Sequence, residues 1–223
     1  LHLIQNHSHN QQTMKKYGSY FLIAFIVIFI DQAVKLLVHF NMEMGANGQI
    51  KVFGDWFKIH YILNPGMAFG LRIDTLYGKL ILTLFRILAT ILIAYYIKLL
   101  IDRKAHTGFI TCMALILGGA LGNVMDSTFY GVFLGNAPVG SLMPWFHGQV
   151  IDMIYVDIWE GKLPNWIPFM GGEYYAFWPI FNIADSSIFM GVMTILFRND
   201  AFFRKPVAPA PETLPTETEI VPS

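Results

Sequence analysis

Charge is scarce in this chain of 223 residues, where Lys, Arg, Asp and Glu make up only 13%. Soluble domains carry about a quarter, so a water-facing surface over most of the sequence is excluded. The few charges cancel, 15 basic against 15 acidic, which leaves no basic field to hold nucleic acid. One cysteine, Cys112, excludes an internal disulfide framework and any multi-cysteine metal site. There is no H-E-x-x-H zinc motif, no P-loop and no G-x-S-x-G. If the chain is an enzyme of the bilayer, carboxylates are the main chemistry it has.

Apolar residues are abundant, at 55% of the chain, with a mean hydropathy of +0.49. Four segments reach membrane length, at about 17–40, 80–101, 108–125 and 177–197. Clusters of Lys and Arg flank them at Lys15/Lys16, at Lys98/Arg103/Lys104 and at Arg198/Arg204/Lys205. With four spans all three clusters fall on one side, which the positive-inside rule makes cytoplasmic, with both termini inside. The expected fold is an all-α membrane protein of four transmembrane helices, with a small extracytoplasmic β-sheet and a long outer loop. The sheet is expected in Gln49–Asn64, rich in β-branched and aromatic residues around a Gly54-Asp55 turn. The outer loop spans about 126–177 and holds Trp145, Trp159 and Trp166, which suit the headgroup level.

The domain proper is read as residues 14–205. Residues 1–13 are polar, contain His7 and His9, and precede Met14, so they read as a leader or expression remnant. Residues 206–223 are rich in Pro, Thr and Glu and read as a disordered cytoplasmic tail.

Polar residues inside the apolar segments need a reason. A carboxylate at mid-membrane costs about 2.5–3.5 kcal/mol on insertion scales. Asp185 sits within the fourth span, three residues after Asn182 and on the same helical face. Asp31 and Lys35, in D-Q-A-V-K, are spaced to pair along the first helix, which reads as a structural pair near the outer interface. Gly118 and Gly122 give a small-residue face for helix packing, and Asn123 and Asp126 follow on one face. Asn64-Pro65-Gly66 reads first as a turn. Asp152, Asp157 and Glu160 lie in the outer loop, where chemistry alone does not rank them. On these residues alone three readings stay open: a carboxylate enzyme, an ion or proton carrier, and a helix bundle whose polar residues serve packing.

Taken in order, five stretches resemble the lipoprotein signal peptidases (signal peptidase II), bacterial inner-membrane aspartic proteases. The family pattern D-x-x-x-K, N-x-G-x-A-F, G-N-x-x-D, V-x-D and F-N-x-A-D appears here in sequence. Its residues are Asp31/Lys35, Asn64/Gly66/Ala68/Phe69, Gly122/Asn123/Asp126, Val150/Asp152 and Phe181/Asn182/Ala184/Asp185. The resemblance implies a catalytic pair, Asp152 and Asp185, with the other matching residues supporting the pair or touching substrate. It implies no metal and no cofactor. The implied substrate is a prolipoprotein carrying diacylglycerol on its cysteine, cut just before that cysteine, by a protein that is monomeric among membrane lipids. The sequence departs from the pattern at Ser127, where the family usually has Arg. Any contact of that Arg must be lost or supplied elsewhere.

Overall fold

The computed structural model describes residues 2–65, 77–166, 171–172, 174–176 and 180–203. Gly66, Ala68, Phe69 and the tail from residue 206 lie outside these. The first helix, α1, runs His2–Asn41, continuous through residues 2–13, and its apolar part is Tyr17–Asn41. Helix α2 is Gly78–Asp102. Helix α3 is Thr107–Met125, opened by the His106 ring accepting the Gly108 N–H at 3.1 Å. It continues through a π-helical turn, Asp126–Tyr130, into one further turn, α4, Gly131–Phe133. Helices α5 (Ile183–Phe197) and α6 (Asn199–Phe203) end the described chain.

Three of these segments, Tyr17–Asn41, Gly78–Asp102 and Thr107–Phe133, are long and apolar enough to cross a membrane, and α5 is a shorter apolar helix. The third span therefore extends eight residues beyond its expected end at Met125. The fourth starts later than expected, at Ile183 rather than 177, because the chain before it is held extended. Residues 177–179 lie outside the described set.

Exposure is inverted relative to a soluble protein. Phe25 and Phe29 are 62% and 66% exposed, whereas Asp31 and Lys35 on the same helix are fully buried. Apolar side chains face outward and polar ones face the bundle interior, as a hydrocarbon solvent requires.

Close approach of the helices rests on glycines of α3. A Cβ on Gly118 would sit 2.8 Å from the Ala24 carbonyl oxygen of α1. One on Gly119 would collide with the Ala184 carbonyl of α5, and one on Gly122 would lie 2.6 Å from Asp31 Oδ2. The expected small face, Gly118 and Gly122, is thus joined by Gly119, and α3 packs against α1 and α5 together.

The expected hairpin forms as β1 (Ile50–Phe53) and β2 (Phe57–Asn64), antiparallel across a turn with Gly54 at φ +52°. A third strand, β3 (Val150–Val156), pairs antiparallel with β2, giving the order β1-β2-β3. The outer segment read as a loop is therefore structured. It holds the end of the third span, β3, and a small hairpin of β4 (Glu160–Lys162) with β5 (Tyr174–Ala176). One apolar core, including Ala24, Ile97, Phe109 and Leu117, fills the bundle at one end. A second, including Val38, Tyr61, Tyr130, Ile151 and Met153, packs the sheet onto α1 and the end of the third span. Along α1 and α3 the polar residues lie between the two.

Candidate active site

Strand β3 has its second edge paired as well. The Phe181 carbonyl accepts the N–H groups of Met153 and Ile154 at 3.1 and 2.8 Å, and the Phe181 N–H returns to Ile154 O at 3.0 Å. This bridge holds the chain extended just before α5 and lays Asn182 against Asp152. Asn182 then caps α5. Its Oδ1 accepts the Asp185 N–H at 2.9 Å, and Asp185 Oδ2 accepts the Asn182 N–H at 3.4 Å, a reciprocal capping box.

The same side chain reaches the strand. Asn182 Nδ2 donates to Asp152 Oδ1 at 2.6 Å and to Asn123 Oδ1 at 3.2 Å. Asp152 Oδ2 accepts from Asn64 Nδ2 at 2.9 Å. Asn64 and Asp152 are diagonal neighbours, since Asn64 pairs with Val150 and Ile62 with Asp152. Asp152 is fully buried. Burial first, then the negative charge of Asp185, pushes its carboxyl up to about 7. The bonds from Asn64 and Asn182 and the charge of Lys35 pull the other way.

Behind this pair lies a second layer. Asn123 Nδ2 donates to Asp185 Oδ1 at 2.8 Å, while its Oδ1 accepts from Lys35 Nζ at 3.0 Å. The amide orientation is forced, because a carboxylate takes only donors and an ammonium only acceptors. Lys35 Nζ lies 2.7 Å from Asp31 Oδ2 and 2.7 Å from Asp126 Oδ2. Asp31 Oδ1 accepts the Ala184 N–H at 2.9 Å, tying α1 to the first turn of α5. Gln32 Nε2 donates to Asp126 Oδ1 at 2.8 Å and Tyr130 donates to Gln32 Oε1 at 2.9 Å.

Chemically, the arrangement offers two carboxylates, one on a buried strand and one at a helix end beside a cavity, both bonded by Asn182. An apolar cavity of about 380 Å³, lined by Phe181, Asp185, Ser186, Phe189 and Met190, opens beside Asp185.

Residues 23–200 match the family model of Signal peptidase (SPase) II. The chain belongs to the signal peptidase II family. It is 46% identical over 208 residues to the lipoprotein signal peptidase of Amoebophilus asiaticus, covering 93% of this chain and 88% of that protein. It is 40% identical to that of Porphyromonas gingivalis, over 77% of this chain and 78% of the other. The protein of the same name from Chlorobaculum parvum is 34% identical, over 82% and 96%. A solved bacterial membrane enzyme studied by the in meso method aligns with a TM-score of 0.54 at 27% identity, covering 85% of this chain and 95% of its own.

The structure brings together Asp31, Lys35, Asn64, Gly122, Asn123, Asp126, Asp152, Asn182, Ala184 and Asp185. Gly66 and Phe69 lie outside the described residues. Three expectations change in detail. Asp31 and Lys35 form a structural pair, but it is sealed between helices and shared with Asp126. Asp152 is on a strand, not in a loop. Asp157, which chemistry alone does not rank against Asp152, is set apart by an ion pair, since Lys58 Nζ of β2 lies 2.5 Å from its Oδ2. Sequence reasoning passed over Gln32 and Tyr130. Their only signal was a polar residue beside Asp31 and a tyrosine four residues after Asp126, at helical spacing.

Proposed function

We propose that this signal peptidase II family member is an aspartic endopeptidase in which Asp152 and Asp185 share one proton. Its task is removal of the signal peptide from prolipoproteins. One observation carries the mechanistic reading: Asn182 bonds Asp152 through Nδ2 while its capping box fixes Asp185.

Two carboxylates in a low-dielectric site do not both ionise readily, so one proton serves the pair. The ionised member takes a proton from water as its oxygen attacks the scissile carbonyl carbon. The protonated member donates to the carbonyl oxygen, giving a neutral gem-diol. Collapse returns the diol proton to the pair and delivers the other to the leaving amine. Asn64, Asn123 and Asn182 hold the two carboxylates in register through the three neutral amides. The pair titrates as a unit.

The substrate is a prolipoprotein with diacylglycerol on its cysteine, and cleavage falls just before that residue. The apolar cavity beside Asp185 supports lateral entry from lipid. At about 1.5 Å per residue, the 15 residues of α5 span about 22 Å, less than the roughly 30 Å hydrocarbon core. The dyad end of α5 therefore lies below the outer interface, where water is scarce. The protein works as a monomer in the bacterial inner membrane, with both termini cytoplasmic and the dyad toward the outer face. The basic clusters of the flanks support that orientation.

The test is cleavage of a purified prolipoprotein with and without its diacylglyceryl group, products read by mass spectrometry. Cleavage before the cysteine of the lipidated form alone is expected. Equal cleavage of the unlipidated form would refute the lipid requirement, and a cut elsewhere would refute the substrate register. Asp157→Asn serves as the control aspartate and should still cut.

A further inference from the structure

Arg86 lies in the first half of α2, within an apolar span where a cation is costly. Its Nη1 donates to Ser127 Oγ at 3.1 Å. Ser127 is fully buried and directly follows Asp126. That is the position at which the family pattern carries an arginine and this sequence does not.

The approach of α2 to this point is built. Thr83, three residues before Arg86 and on the same face, is fully buried and donates to Phe146 O at 2.8 Å. The Phe146 N–H in turn bonds Thr128 O at 3.1 Å, and the Gly148 N–H bonds Ser127 O at 3.0 Å. Residues 144–148 thus strap α2 to the π-helical turn, and Arg86 is aimed at Ser127.

Charge gives the second argument. The site holds four carboxylates, Asp31, Asp126, Asp152 and Asp185, and one lysine, Lys35. With one proton on the dyad, this bonded set lacks two positive charges, and Lys79 at the start of α2 is within electrostatic reach of Asp126. Arg86 is within electrostatic reach of Asp185, Asp126 and Asp152.

We propose that Arg86 is the guanidinium of this peptidase's substrate site, delivered from α2 to the place where the family pattern delivers one from α3. Its planar fork suits carbonyl oxygens, and it positions the signal peptide backbone beside the dyad. The inference rests on the proposed peptidase reaction and adds a residue to it.

The test is steady-state cleavage of lipidated prolipoprotein by Arg86→Met, Arg86→Lys and the double variant Arg86→Met/Ser127→Arg, with thermal unfolding of each. Wild-type cleavage and an inactive Asp185→Asn in the same assay separate failure of the reaction from failure of this inference. Arg86→Met should lose about 10–100-fold in kcat/KM, mostly through KM, the scale of a charge-assisted hydrogen bond. Moving the guanidinium in the double variant should recover about tenfold or more. Wild-type kcat/KM in Arg86→Met would overturn the proposal, as would a folded double variant no better than Arg86→Met. If the double variant does not fold, Arg86→Lys decides. Activity above that of Arg86→Met supports a positioning cation, and activity equal to it at unchanged Tm rejects one.

Discussion

Replacing Lys35 with methionine should do more damage than any other conservative change outside the dyad. Methionine keeps most of the volume and removes the ammonium, with its charge and its N–H donors. Lys35 Nζ lies 2.7 Å from both Asp31 and Asp126, and all three residues are fully buried. Without it, two carboxylates are left facing one another in a dry interior. Removing one partner of a buried pair costs about 3–5 kcal/mol. For a chain of this size each kcal/mol moves Tm by about 2–4 °C, so the fall should be about 6–20 °C. Activity should drop too, because Lys35 fixes the Asn123 amide that holds Asp185. Adding Asp126→Asn to Lys35→Met removes one stranded charge and should restore part of the lost Tm. The assays are thermal unfolding in detergent, followed by tryptophan fluorescence, and prolipoprotein cleavage. An unchanged Tm in Lys35→Met would mean that the network does not hold the helices together, and the reasoning fails.

Asn182→Ala removes a helix cap, worth about 1 kcal/mol, and also the link between the two carboxylates. Misplacement by about 1 Å can cost about 10²-fold in rate, so kcat should fall by that order while Tm drops only a few degrees; a wild-type kcat would show the link to be idle. Asp152 sits near 7 in the folded protein against an ordinary 3.8. A raised folded value means the folded state binds that proton more tightly, so stability falls as pH rises between about 4 and 7. Asp152→Asn should flatten that part of the Tm-against-pH curve, and an unaltered slope there would contradict the assignment. Gly119→Ala drives a methyl into the Ala184 carbonyl and should destabilise by about 1–3 kcal/mol. Gly18→Ala, with nothing within 4 Å of its Cβ, should be neutral or slightly stabilising. Equal Tm values for the two would remove the close-packing argument.

The spans were legible because segments of about twenty mainly apolar residues have one common explanation, and the hairpin because Gly54-Asp55 divides two β-branched runs. The fourth span was misplaced at its start because hydropathy cannot see the bridge between Phe181 and Ile154 that delays helix formation. For the same reason β3 was hidden: its partner β2 lies far away in the chain, Asn64 pairing with Val150 and Phe57 with Val156, and V-I-D-M-I-Y-V carries no turn signal of its own. Asp152 was found by its place in a pattern, and its local chemistry did not distinguish it from Asp157. Gly119 was invisible as a contact because the small-residue spacing that drew notice was Gly118 to Gly122. In the sequence Arg86 is only a cation within an apolar span. Its meaning depends on Ser127, 41 residues later, and on a loop that straps their two helices together.

The central claim is that Asp152 and Asp185 act as one unit, and single-turnover cleavage of lipidated prolipoprotein tests it most directly. Asp152→Asn, Asp185→Asn and the double variant should be equally inactive, because residues that act as a unit are non-additive. Turnover within about tenfold of wild type in either single variant, with the fold intact, would contradict the account.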